Sequence, residues 1–438
     1  KGKAIATIPG FDGNRNTKLV DFNKLPWPED NDVSRYKYAL QGEPNCEYRE
    51  IQAYASRGCV YRCNFCAAAN LYYNKPNWRP RDVQDIVNEI IYLKNKYPEM
   101  QGIFFDEEWH NYRKDFILEL CKKIKENKID NLHYNAMCGY STMNKEMLEA
   151  MKDAGYYKLR IGIETLSDKI ADAMNLGGKF NQERLYKVLE MAKNIGLKIY
   201  ATFTIGGRGA TRDEDNKTAE FIRESVARGW ICDLQVSIAT PQPGTPFYKW
   251  AQDNGYIIRT EWSQFDGGNY AVVSYPDYQR EEIEAMFRIA LFKYDGGRYE
   301  RDGRYIKNRV LNELKRYTIN KAICFRTNRM WHIWSFLDAI CEVLKDKRID
   351  FIIQPAVKEI FEKDKRINRI YIYDKGFFNR DIFPEELFNT IKYQSYDTAI
   401  IFVNHPEGKG YDNVYNIAKD SAIPQILYIF PDGGIKKK

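Results

Sequence analysis

Short hydrophobic strands alternate with amphipathic helices along the first half of the chain, and this alternation constrains the fold most strongly. The pattern predicts strands at residues 51–55, 102–105, 133–135, 159–163, 198–205 and 232–239. Between the first two strands, Val83, Val87 and Ile90 recur at helical spacing. Strands that alternate with helices of this length indicate parallel β–α units. We therefore predict an α/β fold with a partial (β/α)6 TIM-like barrel over residues 51–256.

The alternation restarts near residue 320 and predicts a small Rossmann-like, doubly wound domain over residues 320–438. Its expected strands are residues 322–325, 351–353, 370–373, 399–403 and 426–429. No G-x-G-x-x-G turn follows the first of them, so dinucleotide binding is not predicted. Residues 1–50 read as an extended lead-in or linker. Residues 257–319 read as a helical tail and linker, in which the glycines between positions 296 and 304 suggest a hinge.

Three cysteines, Cys59, Cys63 and Cys66, lie in the loop after the first predicted strand. Three thiolates on one loop can hold three corners of an iron–sulfur cube, which leaves the fourth iron without a protein ligand. Barrels of parallel strands collect their chemistry at the carboxyl ends of the strands, where this loop falls. The spacing therefore predicts a metal site, and it favours a cluster.

Other interpretations of these cysteines remain open. A structural zinc site needs four ligands, and the nearby spare thiol is Cys46, while the next histidine is His110, for which a hydrogen-bonded structural role is favoured. A disulfide framework is less favoured, because the chain has nine cysteines and no secretory signal. The alternative function is a metal- or cluster-binding recognition protein without enzymatic activity.

The cysteine spacing and the order of the motifs over residues 51–256 resemble the radical S-adenosylmethionine (SAM) superfamily. This resemblance implies a [4Fe–4S] cluster on the three cysteines, with SAM bound at the open iron and cleaved reductively to a deoxyadenosyl radical. It also implies cofactor-binding residues: Phe65 against the adenine, Asp106 or Glu107 on the SAM amino group, and Asn135, at the end of the third strand, on the ribose.

Glu164 resembles the glutamate at a strand end that faces the cofactor, with an ion pair to Arg160 or Lys179 as the structural alternative. The run from Thr204 through Gly209, which contains Gly206, resembles a glycine-rich turn of the family and implies that Thr204 and Gly206 lie near the cofactor.

Two further segments narrow the resemblance. Residues 21–28 are similar to the linker that precedes the barrel in cobalamin-dependent radical SAM enzymes, and residues 240–246 carry a similar Pro-Gly-Thr-Pro run. This branch implies methylation or another radical modification, and it makes cobalamin possible although its domain is absent from this chain. Residues 323–329, 350–355 and 367–375 resemble the amino-terminal lobe of heptosyltransferase-like glycosyltransferases, which implies an accessory domain and a small-molecule or glycan-like substrate.

Composition sets the remaining expectations. The net charge of +7 is only mildly basic, so it gives no clear nucleic-acid signature. No apolar run approaches the roughly 18 residues of a membrane span. Free thiols and an oxygen-sensitive cluster indicate a reducing compartment, and we expect a cytoplasmic protein that receives electrons from a donor protein.

Overall fold

The computed structural model describes residues 19, 21–28, 31, 34–41, 46–73, 76–343, 349–405 and 408–438. Much of the predicted lead-in, including residues 1–18 and 42–45, lies outside the described residues. The chain divides into two compact units, residues 1–293 and residues 294–438. Within the described ranges, no helix combines the length and the apolar character needed to cross a membrane.

The first unit is built on a parallel sheet. Its strands are β1 (Glu50–Ala53), β2 (Ser56–Arg57), β3 (Arg79–Pro80), β4 (Gly102–Phe105), β5 (His133–Cys138), β6 (Tyr156–Glu164), β7 (Lys198–Ile205) and β8 (Asp233–Ile238). Six of them form one sheet in the order β1-β4-β5-β6-β7-β8, with every neighbouring pair parallel. The predicted partial barrel is therefore confirmed. Strands β2 and β3 pair antiparallel with each other.

Helices follow the strands in turn. They are α1 (Val83–Lys96), α2 (Lys114–Glu126), α3 (Lys145–Asp153), α4 (Asp168–Ala173), α5 (Gln182–Ile195), α6 (Arg212–Ala227), α7 (Pro246–Asp253) and α8 (Arg280–Leu314). The part of α8 from residue 294 onward belongs to the second unit. Helix α1 illustrates why they form: the side chain of Asp82 accepts a hydrogen bond from the Asp85 N–H, and the predicted apolar positions of the helix are buried. The glycines between positions 296 and 304, predicted to form a hinge, lie inside α8. Each glycine weakens a helix by only about 1 kcal/mol, so neighbouring helix formers and packing override it.

The second unit contains a doubly wound sheet, as predicted. Its strands are β9 (Ala322–Phe325), β10 (Ile349–Ile353), β11 (Ile367–Ile372), β12 (Thr398–Phe402), β13 (Gln425–Ile429) and β14 (Ile435–Lys437). Its further helices are α9 (Met330–Val343), α10 (Lys358–Glu362), α11 (Glu385–Tyr393) and α12 (Asp412–Asp420). The strand order is β11-β10-β9-β12-β13-β14, and only β14, which was not predicted, runs antiparallel to its neighbour.

Both faces of this second sheet are buried. Cys324 of β9 belongs to one hydrophobic core, while its neighbours Ile323 and Phe325 belong to the other. Successive side chains of a strand point to opposite faces, so the sheet separates two cores. This explains why its strands read as continuous apolar runs rather than as alternating patterns.

Candidate functional site

The cysteine loop leaves the carboxyl end of the barrel sheet. Strand β2 follows β1 directly, and its pairing with β3 closes the base of the loop. The Asn77 N–H donates to the Cys59 carbonyl at 3.0 Å, which ties the two arms together above the strands. The three cysteines therefore lie at the end of the barrel where the sequence predicts them.

Two asparagine side chains hold the loop in shape. The Asn64 amide donates to the Ala173 carbonyl of α4 at 2.7 Å. The Asn70 amide donates to the carbonyls of Cys63 and Cys66 at 2.9 and 2.8 Å. Sequence reasoning missed both residues, although Asn70 follows Cys66 by four residues, one helical turn, and an amide carries two donors. These contacts preorganise the loop before any ligand binds.

The thiols themselves lie close enough to interact electrostatically. Cys63 is buried, whereas Cys59 and Cys66 are half-buried, as is Phe65 in the turn between the last two cysteines. Burial raises the pKa of Cys63 to about 11; the Lys179 ammonium opposes this, while Glu164 and the other two thiols add to it. Burial likewise raises the pKa of Cys59. Ionised sulfurs here need a strong positive partner, as a metal cluster would provide, so the donor set fits an iron–sulfur cluster.

The zinc alternative needs a different arrangement. A single ion requires several side chains that converge on one point. In the described parts of the chain, no three His, Cys, Asp or Glu residues are arranged to hold one ion. The suggested fourth ligand, Cys46, lies elsewhere: its sulfur accepts a hydrogen bond from Arg160 Nη2 at 3.4 Å, and burial followed by Glu50 raises its pKa to about 12.

Glu164 lies beside the thiols at the carboxyl end of β6. Its Oε1 pairs with Lys179 Nζ at 2.9 Å, and its Oε2 accepts a hydrogen bond from Thr204 Oγ1 at 3.0 Å. Its backbone is left-handed, with φ of 69°, where the register against β7 shifts between Gly162 and Glu164. Burial alone would lower the pKa of Lys179, but Glu164 and Cys63 outweigh it and the pKa is raised, so the ammonium stays charged. Of the two structural partners anticipated for Glu164, Lys179 is the one in contact.

The acidic residues that follow β4 differ in burial and in their hydrogen-bond partners. Glu107 is buried and accepts hydrogen bonds from the N–H groups of Ala55 and Ser56 at 2.6 and 2.5 Å, and its other oxygen lies 2.5 Å from His110 Nδ1. Asp106 is exposed and accepts one hydrogen bond from Gln52 Nε2 at 2.9 Å. Both Glu107 oxygens are thus engaged by protein, whereas the Asp106 carboxylate remains accessible.

His110 is a structural histidine, as the sequence suggests. Its ring has no exposed surface, and its Nε2 lies 2.8 Å from the Tyr156 hydroxyl while Nδ1 faces Glu107. With both nitrogens hydrogen-bonded inside the core, the ring links β6 to the acidic run.

Asn135 does not lie at a strand end. Strand β5 continues to Cys138, with Ala136, Met137 and Cys138 in register with β6. Asn135 is therefore in mid-strand and fully buried, and its Oδ1 accepts a hydrogen bond from Arg160 Nε at 3.2 Å. The sequence-based boundary was too early because these three residues have modest strand preference alone, and pairing with β6 extends the strand.

The glycine turn after β7 is held by protein groups. Gly206 has φ of 75°, and a Cβ there would lie 2.6 Å from Ile283 Cγ2, so a larger residue would not fit. Its N–H donates to Asp215 Oδ2 at 2.8 Å, and its carbonyl accepts a hydrogen bond from the Tyr275 hydroxyl at 2.9 Å. The turn thus packs against its own unit through both backbone groups.

Asp215 gives this turn a pH-dependent stability. Burial raises its pKa to about 7, against hydrogen bonds from Gly206 and Tyr278 that lower it. The folded state therefore keeps a proton on Asp215 that the unfolded state releases near pH 4. The stabilisation from this proton is fully present below about pH 4 and is lost as the pH rises to about 7. We expect the free energy of unfolding to fall by up to a few kcal/mol over that range. In Asp215→Asn this component should be absent. Urea denaturation at pH 5 and pH 8 measures the free energy of unfolding of both proteins. If that free energy changed equally between the two pH values in the unmodified protein and in Asp215→Asn, the assignment would be contradicted.

The Pro-Gly-Thr-Pro run starts α7 against the cysteine loop. Thr245 caps the helix by accepting the Tyr248 N–H at 3.2 Å, and the Phe247 N–H donates to the Asn64 carbonyl at 3.1 Å. Gly244, with φ of 84°, lets the turn approach Leu71. A cavity of about 650 Å³ opens between loop and helix, lined by residues that include Arg62, Asn70, Tyr73, Tyr248 and Lys249.

A partial barrel with a three-cysteine loop beyond the carboxyl end of its first strand is the architecture of residues 50–238. Residues 54–222 match the family model of the radical SAM superfamily, and this part of the chain is a radical SAM domain. Radical SAM proteins use a [4Fe–4S] cluster and SAM.

Two of the curated relatives that this chain matches carry methyltransferase names. An uncharacterized methyltransferase of Pyrococcus horikoshii is 25% identical over 303 residues, which cover 67% of this chain and 62% of that protein. Cytidylyl-2-hydroxyethylphosphonate methyltransferase of Streptomyces wedmorensis is 27% identical over 192 residues, or 42% of this chain and 35% of that protein. The chain thus spans less than two thirds of either relative. Among solved structures, the radical SAM methyltransferase TsrM from Kitasatospora setae, with cobalamin and a [4Fe–4S] cluster bound, matches at 16% identity and a TM-score of 0.42 over 55% of this chain and 47% of that chain.

Proposed function

We propose that this chain is a radical SAM enzyme in which Cys59, Cys63 and Cys66 hold a [4Fe–4S] cluster. The observation that carries the proposal is the anchored loop of three interacting thiols at the carboxyl end of β1, within the region that matches the family. When bound, the cluster supplies the electron that cleaves SAM to methionine and a deoxyadenosyl radical.

The side chains around the loop have complementary tasks. Lys179 stays protonated beside the thiols and offsets part of their negative charge. Glu164 positions Lys179 and, with Thr204, borders the same space. Phe65 offers an aromatic face for the adenine, and the accessible carboxylate of Asp106 suits the SAM ammonium group better than the engaged Glu107 does.

Anaerobic reconstitution tests the proposal. Protein loaded with iron and sulfide, reduced with dithionite and given SAM, should form deoxyadenosine and methionine. Metal analysis should find iron rather than zinc, together with broad visible absorbance. Zinc without iron, and no deoxyadenosine, would support the non-enzymatic binding function instead.

We further propose methylation of a small-molecule substrate as the outcome. The methyltransferase names of the relatives support this class of reaction, and residues 21–28 and 240–246 support the cobalamin-related branch. The enzyme would take electrons from a donor protein in the reducing cytoplasm. Assays with and without methylcobalamin test the cofactor requirement, with S-adenosylhomocysteine as the product that reports methyl transfer from SAM.

Asp106→Asn should weaken SAM binding without unfolding the protein. The substitution removes the charge from an exposed carboxylate, and a hydrogen bond to a charged group contributes about 1.5–3 kcal/mol, so the Kd for SAM should rise about tenfold to a hundredfold. The thermal midpoint should stay constant. Isothermal titration of the reconstituted protein measures the Kd, with the exposed Glu99→Gln as control. Unchanged SAM affinity would remove Asp106 from the SAM site.

A further inference from the structure

The second unit has a crevice at the point where its sheet reverses direction. From β9 the chain moves outward through β10 to β11, and it then returns to β12 on the other side of β9. Loops that leave β9 and β12 therefore diverge, and open α/β sheets bind ligands in the crevice that such divergence creates. Thr327 Oγ1 donates to the Phe402 carbonyl at 2.5 Å, which links the two loops at the floor.

A cavity of about 640 Å³ occupies this place. Its walls come from the segments that follow four strands, and they include Arg326 and Arg329 after β9, Gln354 after β10, Phe377 after β11 and Asn404 after β12. This volume lies within the usual range of small-molecule sites. Residues from four separate segments thus converge on one space at the carboxyl edge of the sheet.

The cavity concentrates positive charge. Arg326 Nη1 donates to Gln354 Oε1 at 2.8 Å, but its Nε–H is buried without an acceptor among the described residues. Burial and the neighbouring Arg329 lower the pKa of Arg326, with Asp295 opposing them, so the two guanidinium groups repel each other. A bound anion would relieve that repulsion and supply acceptors.

One aspartate interacts with both arginines, and it is a weak counterion. Asp295 is buried, and its Oδ2 accepts the Met330 N–H at 3.3 Å. Burial raises its pKa to about 6 although Arg329 lowers it. Among the described residues, Asp295 is thus a single carboxylate shared between two guanidinium groups. The positive charge that Asp295 leaves uncompensated suits a phosphate ester. A phosphate dianion can engage both arginines, whereas a carboxylate carries only a single charge.

The rim supplies a surface for a ring. Phe377 is 97% exposed and lines the cavity together with the buried Phe378 and the half-buried Tyr411. Its aromatic face is therefore free of water-excluding contacts and offers a surface on which the ring of a ligand can stack.

From this geometry we propose that the carboxyl edge of the second unit's sheet binds a small molecule that carries a phosphate group and a ring, with the phosphate on Arg326 and Arg329 and the ring on Phe377. The site is independent of the cysteine loop, because every residue in it belongs to residues 294–438. Its test needs neither cluster nor SAM, so the failure of either proposal leaves the other standing.

Titration of the full chain with three probes tests the proposal at constant ionic strength. The probes are inorganic phosphate, uridine monophosphate as a ring-bearing phosphate, and benzoate as a ring-bearing carboxylate. We expect saturable binding in which uridine monophosphate binds tightest and benzoate weakest. If neither inorganic phosphate nor uridine monophosphate bound saturably, the proposal would be overturned. If benzoate bound as tightly as uridine monophosphate, the phosphate assignment would be overturned.

Variants locate the site. Arg329→Gln should weaken uridine monophosphate binding by about tenfold to a hundredfold, and Arg329→Lys should restore part of it. Phe377→Ala should weaken uridine monophosphate by about tenfold and leave inorganic phosphate unchanged. Arg316→Gln, an exposed arginine of the same unit outside the cavity, is the matched control and should change nothing. Thermal unfolding verifies that each variant is folded. Equal losses in Arg329→Gln and Arg316→Gln, or none in either, would contradict the site.

Discussion

Cys63→Ala is expected to abolish the formation of deoxyadenosine from SAM. Cys63 is the most buried of the three loop cysteines, and its thiol interacts electrostatically with the other two. With two thiols left, the loop loses one corner of the cluster. Changes that merely orient metal ligands reduce affinity or activity by about 10- to 100-fold, so loss of a ligand should exceed about 100-fold.

The measurement combines iron content, visible absorbance and deoxyadenosine yield after anaerobic reconstitution. Cys341→Ala is the matched control, since this partly buried cysteine belongs to α9 of the second unit, and it should behave like the unmodified protein. Thermal unfolding separates loss of the cluster from loss of the fold. Normal deoxyadenosine yield from a folded Cys63→Ala protein would disprove the assignment of the cluster ligands.

Glu107→Ala is expected to destabilise the fold by at least about 3 kcal/mol. The carboxylate accepts the N–H groups of Ala55 and Ser56 and faces the buried ring of His110. Each buried donor left without an acceptor costs about 1–3 kcal/mol, and three donors lose their partner together. Glu107→Gln should lose less, because its amide oxygen can still accept from the backbone.

Urea denaturation measures this loss as a change in the free energy of unfolding. The exposed Glu99→Ala provides the control and should stay within about 0.5 kcal/mol of the unmodified protein. A stable Glu107→Ala protein that no longer binds SAM would move Glu107 from a structural role to the SAM site. Together with Asp106→Asn, this pair of variants decides which carboxylate after β4 meets the cofactor.

The hydrophobic periodicity of the sequence predicts most of the strands and helices. The apolar strands at 102–105, 198–205 and 322–325 are predicted at the bounds that the structure shows. Local composition misled where pairing or packing decided: β5 extends beyond Asn135 through its ladder with β6, and α8 continues through glycines that suggest a hinge. Strand β14 forms by pairing with β13, which no local pattern indicates.

Residue types at the site were easier to foresee than their partners. Glu164 was expected near the cofactor or in an ion pair, and its contact with Lys179 emerges only where the turn after α4 returns to β6. The separate tasks of Asp106 and Glu107 are equally invisible in sequence, because adjacent carboxylates look alike until burial distinguishes them. Asn64 supports the loop by donating to a carbonyl 109 residues away in the sequence, that of Ala173. Asn70 supports it by donating to the nearby carbonyl of Cys63.

The amino-acid sequence alone determined the fold class and the three-cysteine loop, because hydrophobic period and thiol spacing are local properties written in consecutive residues. Tertiary structure decided which charged groups are engaged by protein and which remain accessible, and it assembled the arginine-lined cavity of the second unit from four distant segments. The physical reason is that burial and hydrogen-bond partnership depend on residues far apart in the chain, and these meet only when the sheets form.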